Sequence, residues 1–236
     1  MTEPTGANGH APEATLIGVI LDRSGSMGAV REPTIKGFNE FLHTQQQQHD
    51  GGGALMSLTQ FDDRYEVNFV GESIENVPDL DTRSYVPRGN TALYDAIGRT
   101  IHAVEAWAGE HGWHDRVLLL IVTDGKENAS REYTFEAVRR LIEEKEKDGW
   151  NFAYMGANQD SYAVGRSLNI RPDFTANYDA TAAGTAASYD RLARSTSAYR
   201  SSAGKGTSAT GFFDPAEDPS AGKLTPRGSE PAPGRR

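Results

Sequence analysis

The stretch Leu16-Ile17-Gly18-Val19-Ile20-Leu21-Asp22-Arg23-Ser24-Gly25-Ser26-Met27-Gly28 changes from apolar to polar at a single residue. The run from Leu16 to Leu21 reads as a central parallel strand covered on both faces, and it stops at Asp22. Asp22, Ser24 and Ser26 then place a carboxylate and two hydroxyls at every second position. In extended chain that spacing points all three the same way. Ligands of open parallel sheets collect just outside the carboxyl ends of strands, which is where this loop sits.

The flanking sequence alternates helical and strand patterns. Ile35, Phe38 and Leu42 recur at helical spacing, and Gly51 to Gly53 punctuate the end of that helix. Ala54 to Phe61 reads as a second strand. After a turn at Asp62 to Arg64, the alternation of Tyr65, Val67 and Phe69 predicts an antiparallel, half-exposed edge partner. Beyond a loop with Pro78 and Pro87, Leu93, Ile97, Ile101 and Val104 mark a helix, and Val117 to Val122 a strand. Phe135, Val138 and Ile142 give a further helix, Phe152 to Met155 a strand, and Tyr189, Leu192, Thr196 and Tyr199 one face of a late helix. This order predicts an α/β fold: a doubly wound, mostly parallel sheet with one antiparallel edge strand and helices on both faces. Residues 1–13 carry no periodic apolar pattern and read as a disordered leader. Residues 201–236, rich in Gly, Ser and Pro, read as a disordered tail in which Phe212 and Phe213 are an incidental aromatic pair.

Two more strand-end loops carry hard oxygen ligands. Gly89-Asn90-Thr91 precedes a helix, so Thr91 alone reads equally as an N-cap. Thr123-Asp124-Gly125 follows an apolar strand, with Gly125 permitting a sharp turn that lets Asp124 face Asp22. Three hydroxyls and two carboxylates suit an octahedral cation that keeps several waters, Mg2+ first and Mn2+ next, better than they suit zinc. The absence of Cys from the sequence removes thiolate ligands, thiol catalysis and disulfides, and points to a hard ion.

The D-x-S-x-S, Thr and Asp elements closely resemble the metal-ion-dependent adhesion site (MIDAS) of von Willebrand factor A (VWA) domains. The resemblance spans residues 14–200 and includes Thr91-Ala92-Leu93-Tyr94-Asp95 opening a helix and Val122-Thr123-Asp124-Gly125 ending a strand. It is most similar to the small, single-domain intracellular type of bacteria and their phages, which implies a cytoplasmic location. The resemblance implies that Ser24, Ser26 and Thr91 ligate the metal through hydroxyls, with Asp22 and Asp124 acting directly or through water. It also implies an open coordination position for the Asp or Glu of a protein partner, and hence a binding module rather than an enzyme. Asp95, one turn past Thr91, is a candidate to hydrogen-bond a ligand hydroxyl or a metal-bound water. Arg23 and Met27, at the variable positions of the first loop, are candidates for the rim that a partner meets.

Composition and the remaining motifs narrow the alternatives. With 24 basic against 33 acidic residues the net charge is −9, which disfavours nucleic acid as a partner. No apolar stretch approaches the roughly 20 residues that cross a bilayer, and no apolar signal core opens the chain. Neither a membrane partner nor secretion is therefore expected. Aspartate-based phosphoryl transfer requires a second Asp where Ser24 stands, and a hydrolase elbow requires Gly where Ser24 precedes Ser26. Lys205 lacks a phosphate-cradling loop. His111 and His114 flank Gly112-Trp113 without further ligands and read as loop residues. Gln45 to Gln48 read as the polar last turns of a helix, and Glu143, Glu144 and Lys147 as a solvated face. The alternative to a binding module is a metal-assisted hydrolase or phosphoryl-transfer enzyme, with Glu127 or Asn128 as the nearest candidates for a base.

Overall fold

The computed structural model describes residues 14–49, 53–113, 116–157, 161–202, 211–214 and 216. Its strands are β1 (Thr15–Asp22), β2 (Ala54–Phe61), β3 (Tyr65–Ser73), β4 (Arg116–Thr123), β5 (Asn151–Ala157) and β6 (Thr175–Tyr178). Its α-helices are α1 (Arg31–Gln47), α2 (Leu93–His111), α3 (Phe135–Lys147), α4 (Ser161–Ser167) and α5 (Ala182–Ser201). The strands form one sheet in the order β3-β2-β1-β4-β5-β6, parallel throughout except for β3 at the edge. This is the doubly wound arrangement expected from the alternating pattern.

The two innermost strands carry the longest apolar runs. Every residue of β1 is buried, as is every residue of β4 after Arg116, because helices cover both faces. At about 1.5–3 kcal/mol for each fully buried Leu, Ile or Val, these two strands anchor the core. From β1 the chain leaves toward β2 on one side, and it returns to β4 on the other. The sheet's topological switch point thus falls between β1 and β4, the place where open α/β sheets bind ligands. The metal-loop candidates Asp22 and Asp124 stand at the carboxyl ends of those two strands.

Helix α1 packs along α5, and α2 along α3. The glutamine run does form the polar last turn of α1, and it also makes the α1–α5 contact partly polar. Gln45 is fully buried; its side-chain amide donates to the Ala193 carbonyl at 3.0 Å, and the buried Arg200 donates to the Gln45 carbonyl at 2.7 Å. The Gln48 amide reaches the Ser197 carbonyl at 3.0 Å. Elements missed in the sequence are short: α4, and β6 with only Thr175-Ala176-Asn177-Tyr178, which has no apolar run to mark it.

Phe212 and Phe213 are seated on the domain rather than incidental. Their backbone N–H groups both donate to the Asp173 carbonyl at 2.9 Å. The Phe212 ring stacks on Phe174 with centroids 5.3 Å apart, and Arg191 lies 4.9 Å over the Phe213 ring while donating to the Asp214 carbonyl. His111, exposed at the end of α2, stacks on Trp107; His114 and Lys205 lie outside the described residues. No described helix is long and apolar enough to cross a membrane.

Candidate metal centre

Three loops at the carboxyl edge of the sheet bring the five oxygen-bearing residues together. Asp22 ends β1 fully buried, and its Oδ1 accepts the Ser24 N–H at 2.6 Å, which curls the loop back over the strand end. The Ser24 and Ser26 hydroxyls lie 3.1 Å apart, and Ser26 donates to Asp124 Oδ1 at 2.5 Å across the switch point. Thr123 donates to Asp22 Oδ2 at 2.6 Å, tying the ends of β1 and β4 together from below. Gly125 reports where Thr91 stands: a Cβ built there would lie 2.5 Å from Thr91 Oγ1 and 3.2 Å from Asp22 Oδ2. All five sequence candidates therefore face one small volume.

The Thr91 hydroxyl is free of capping duty. Helix α2 begins at Leu93 with Ala92 at its N-cap and no side-chain cap of its own. The orphan amides of its first turn are met from the loop after β4: Tyr94 N–H by Glu127 Oε2 at 3.0 Å and Asp95 N–H by Ser130 Oγ at 3.1 Å. Asn128 closes the same contact, since its Oδ1 accepts the Thr91 N–H at 2.9 Å and its own N–H donates to the Thr91 carbonyl. The position of Thr91 is thus set by the Asp124 loop, so two of the three loops are hydrogen-bonded to each other.

The electrostatics fit a cation. Burial pushes the Asp22 carboxyl up to about 6, although the hydrogen bonds from Thr123 and Ser24 pull the other way. Burial likewise raises Asp124, offset in part by the Ser26 hydroxyl. Among the described residues no basic side chain is bonded to either carboxylate, so both are desolvated acids lacking a counter-charge, which a divalent ion would supply. No group of three or more His, Asp or Glu comes together among the described residues. An ion here would be held by hydroxyls as much as by carboxylates, the donor set of a hard metal. The residues present therefore fit Mg2+ or Mn2+.

The secondary candidates stand elsewhere. Arg23 is 4% exposed and Met27 fully buried, so neither forms the rim. Arg23, a rim candidate at a variable loop position, turns inward because a buried acid awaits it: its Nε donates to Asp62 Oδ2 at 2.9 Å and its Nη1 to Glu66 at 2.7 Å. Asp95 serves the loop backbone, accepting the N–H groups of Arg131, Glu132 and Tyr133 at 2.8–2.9 Å, and bonds none of the five candidates. Three residues support the site in roles that the sequence reading did not give them. Thr123 and Asn128 are named above, and buried Tyr85 donates its hydroxyl to the Asp22 carbonyl at 2.7 Å. A hydroxyl directly before a strand-end Asp was a legible signal for Thr123; Tyr85, 63 residues from its partner, offered none.

No protein-family model matches the chain, and no curated protein matches it. Solved structures do. Proximal thread matrix protein 1 from the mussel byssus, in a form with zinc occupying its MIDAS motif, superposes with a TM-score of 0.55 at 15% identity, over 79% of this chain and 46% of that one. The von Willebrand factor domain of the pilus tip protein Mfa5 from Porphyromonas gingivalis gives 0.55 at 11% identity, over 80% and 97% of the two chains. The open conformation of the pilus adhesin SpaC from Lactobacillus rhamnosus GG gives 0.57 at 16% identity, over 80% and 30%. The chain spans about half the length of the mussel protein. At these identities the likeness is one of fold, and together with the strand order and the switch-point loops it establishes that this chain has the von Willebrand factor A fold.

Proposed function

We propose that this chain is a divalent-cation-dependent protein-binding module, with Ser24, Ser26 and Thr91 as hydroxyl ligands and Asp22 and Asp124 as carboxylates that act directly or through water. The observation that carries the reading is the convergence of these five side chains at the switch point around buried Asp22 and half-buried Asp124, neither bonded to a basic side chain among the described residues. When bound, the ion supplies Lewis acidity toward one further oxygen, and a partner's Asp or Glu is the natural donor. The chain's own residues provide the rest. Thr123 and the Ser24 amide orient Asp22, Asn128 holds Thr91, and Ser26 holds Asp124.

The enzymatic alternative needs a base beside the ion, and Glu127 does not serve. Its carboxylate accepts from the Tyr94, Ala129 and Ser130 N–H groups and from the Ser130 hydroxyl. Asn128 is engaged with the Thr91 backbone. Binding is therefore the better-supported reading.

The test is titration calorimetry with Mg2+ and Mn2+, paired with affinity capture from the native host in Mg2+, in chelator, and with Asp22→Ala. Uptake of one divalent ion, and a set of proteins retained by the unaltered chain in Mg2+ alone, is the expected result. No uptake at millimolar ion, or identical captures in all three arms, would sink the proposal.

A further inference from the structure

Beside Thr91 lies a second cavity, of about 440 Å³, lined by Asp63, Asn90, Asp95, Arg99, Asn128 and the segment 129–132. Asn90 directly precedes Thr91, and Asn128 Oδ1 accepts the Thr91 N–H at 2.9 Å, so the cavity starts at the backbone of a candidate ligand. The turn between β2 and β3 delivers Asp63 to it. A Cβ built at Gly89 would collide with Asp63 Oδ1, and the Gly89 carbonyl accepts the Gly25 N–H of the Asp22–Ser26 loop at 3.1 Å. The Asp63 carboxylate therefore stands against a loop that is hydrogen-bonded directly to the candidate ligand loop. Most of the charge in the lining is already committed. Asp95 accepts the N–H groups of Arg131, Glu132 and Tyr133, and Arg99 pairs with Glu132 through its Nε at 2.8 Å. The exposed side chains of Asp63 and Arg131 have no bonded partner among the described residues. Three acids against two bases leave the lining net negative, with Asp63 the acid that neither backbone amides nor an arginine neutralise.

We infer that this cavity is a side-chain subsite for a Lys or Arg of the bound partner, close in sequence to the Asp or Glu that reaches the ion, with Asp63 as the residue that selects it. This rests on the metal-dependent reading above and deepens it. The lining argues against the other classes of side chain. Ala129 is its only apolar residue, so a hydrophobic group would gain little burial there. It contains no aromatic ring on which a sugar or an aromatic side chain could stack. A second carboxylate would meet Asp63, Asp95 and Glu132, whereas the ion already serves the first. An ammonium or guanidinium, by contrast, finds two carboxylate oxygens on Asp63 and the neutral amides of Asn90 and Asn128 beside them. The net charge of −9 on the chain favours the approach of such a partner.

The experiment uses the full chain in Mg2+ and short fluorescent Gly-Ser peptides, read by anisotropy. One peptide carries a single Glu; the others add one Lys at one, two or three residues to either side of it. At one or more of these positions Lys should tighten binding about fivefold, the upper scale of a solvent-exposed ion pair. Asp63→Asn should erase that gain while Mn2+ uptake by calorimetry and the affinity for the single-Glu peptide stay unchanged. Asp63→Arg should reverse the preference, toward peptides with a second Glu in place of the Lys, a change that a merely structural role for Asp63 would not produce. No gain at any position, or a gain that survives Asp63→Asn, overturns the subsite and leaves the metal reading intact. Peptide binding that survives both chelator and Asp22→Ala overturns the metal reading, and the subsite with it.

Discussion

Position 125 has room for a hydrogen atom and nothing larger. A methyl group there would meet Thr91 Oγ1 at 2.5 Å and approach Asp22 Oδ2 at 3.2 Å, from the side on which the candidate ligands converge. The backbone at Gly125 lies outside the positive-φ set, so Ala is tolerated there conformationally. Gly125→Ala should therefore abolish divalent uptake in calorimetry while the far-ultraviolet circular dichroism spectrum is retained. Asp62 makes a different prediction at the same scale. Burial pushes its carboxyl up, but the hydrogen bonds from Arg88 and the Arg64 amide and the charges of Arg23 and Arg88 outweigh this and hold it below the usual carboxylate range. A folded-state value below the unfolded one contributes stability above the unfolded value, and that stability is lost as pH falls through the folded value. Asp62→Asn should be less stable than the unaltered chain by about 3 kcal/mol at pH 7, the scale for breaking a buried pair. Urea titrations at neutral pH and well below 4 check it, and the gap should narrow in acid.

The contact between α1 and α5 joins two helices far apart in sequence. Tyr189 fills the space that the missing side chain of Gly37 leaves, since a Cβ at Gly37 would come within 2.5–2.9 Å of three atoms of that tyrosine. Helix propensity alone favours Ala at this position by about 1 kcal/mol. The overpacking cost of about 1–3 kcal/mol runs against it and falls on a ring that is 2% exposed. Gly37→Ala should accordingly destabilise the chain, read as a lowered thermal midpoint. The Phe212–Phe213 anchor belongs to this scale as well. Phe213 is 2% exposed, and Phe213→Ala should cost about 3 kcal/mol in a denaturant titration. An effect within about 0.5 kcal/mol, the range of ordinary surface changes, would mean that the pair contributes no packing.

For the molecule as a whole, an ion held between loops from β1, β4 and the start of α2 binds only the folded chain. Mg2+ should therefore raise the unfolding free energy by about 2.7 kcal/mol at a concentration 100-fold above its dissociation constant. The rise should vanish in Asp22→Ala, and differential scanning calorimetry with and without chelator reads it. An unaltered midpoint in saturating Mg2+ would mean either no site or a site equally available in the unfolded chain.

The apolar runs of β1 and β4, each followed or closed by an aspartate, sufficed to place the two central strands and the two strand-end carboxylates from sequence. Strand burial and alternating spacing are local properties, and ligands of a parallel sheet gather at strand ends whatever the details. Legibility ended where a side chain's partner is remote in sequence. Arg23 turned inward to Asp62, Gln45 became a buried bridge to α5, and Glu127 and Asp95 exchanged hydrogen bonds between the α2 start and the loop after β4. Phe212 and Phe213 found a seat beside Phe174 that no local pattern announces. The sequence by itself determined the layered α/β architecture and the chemistry gathered at the sheet's carboxyl edge, because periodicity and strand-end position act over a few residues. Only the tertiary structure decided which polar side chains converge at the switch point and which are spent holding the loops, because buried hydrogen-bonding groups take whichever partner packing brings within reach.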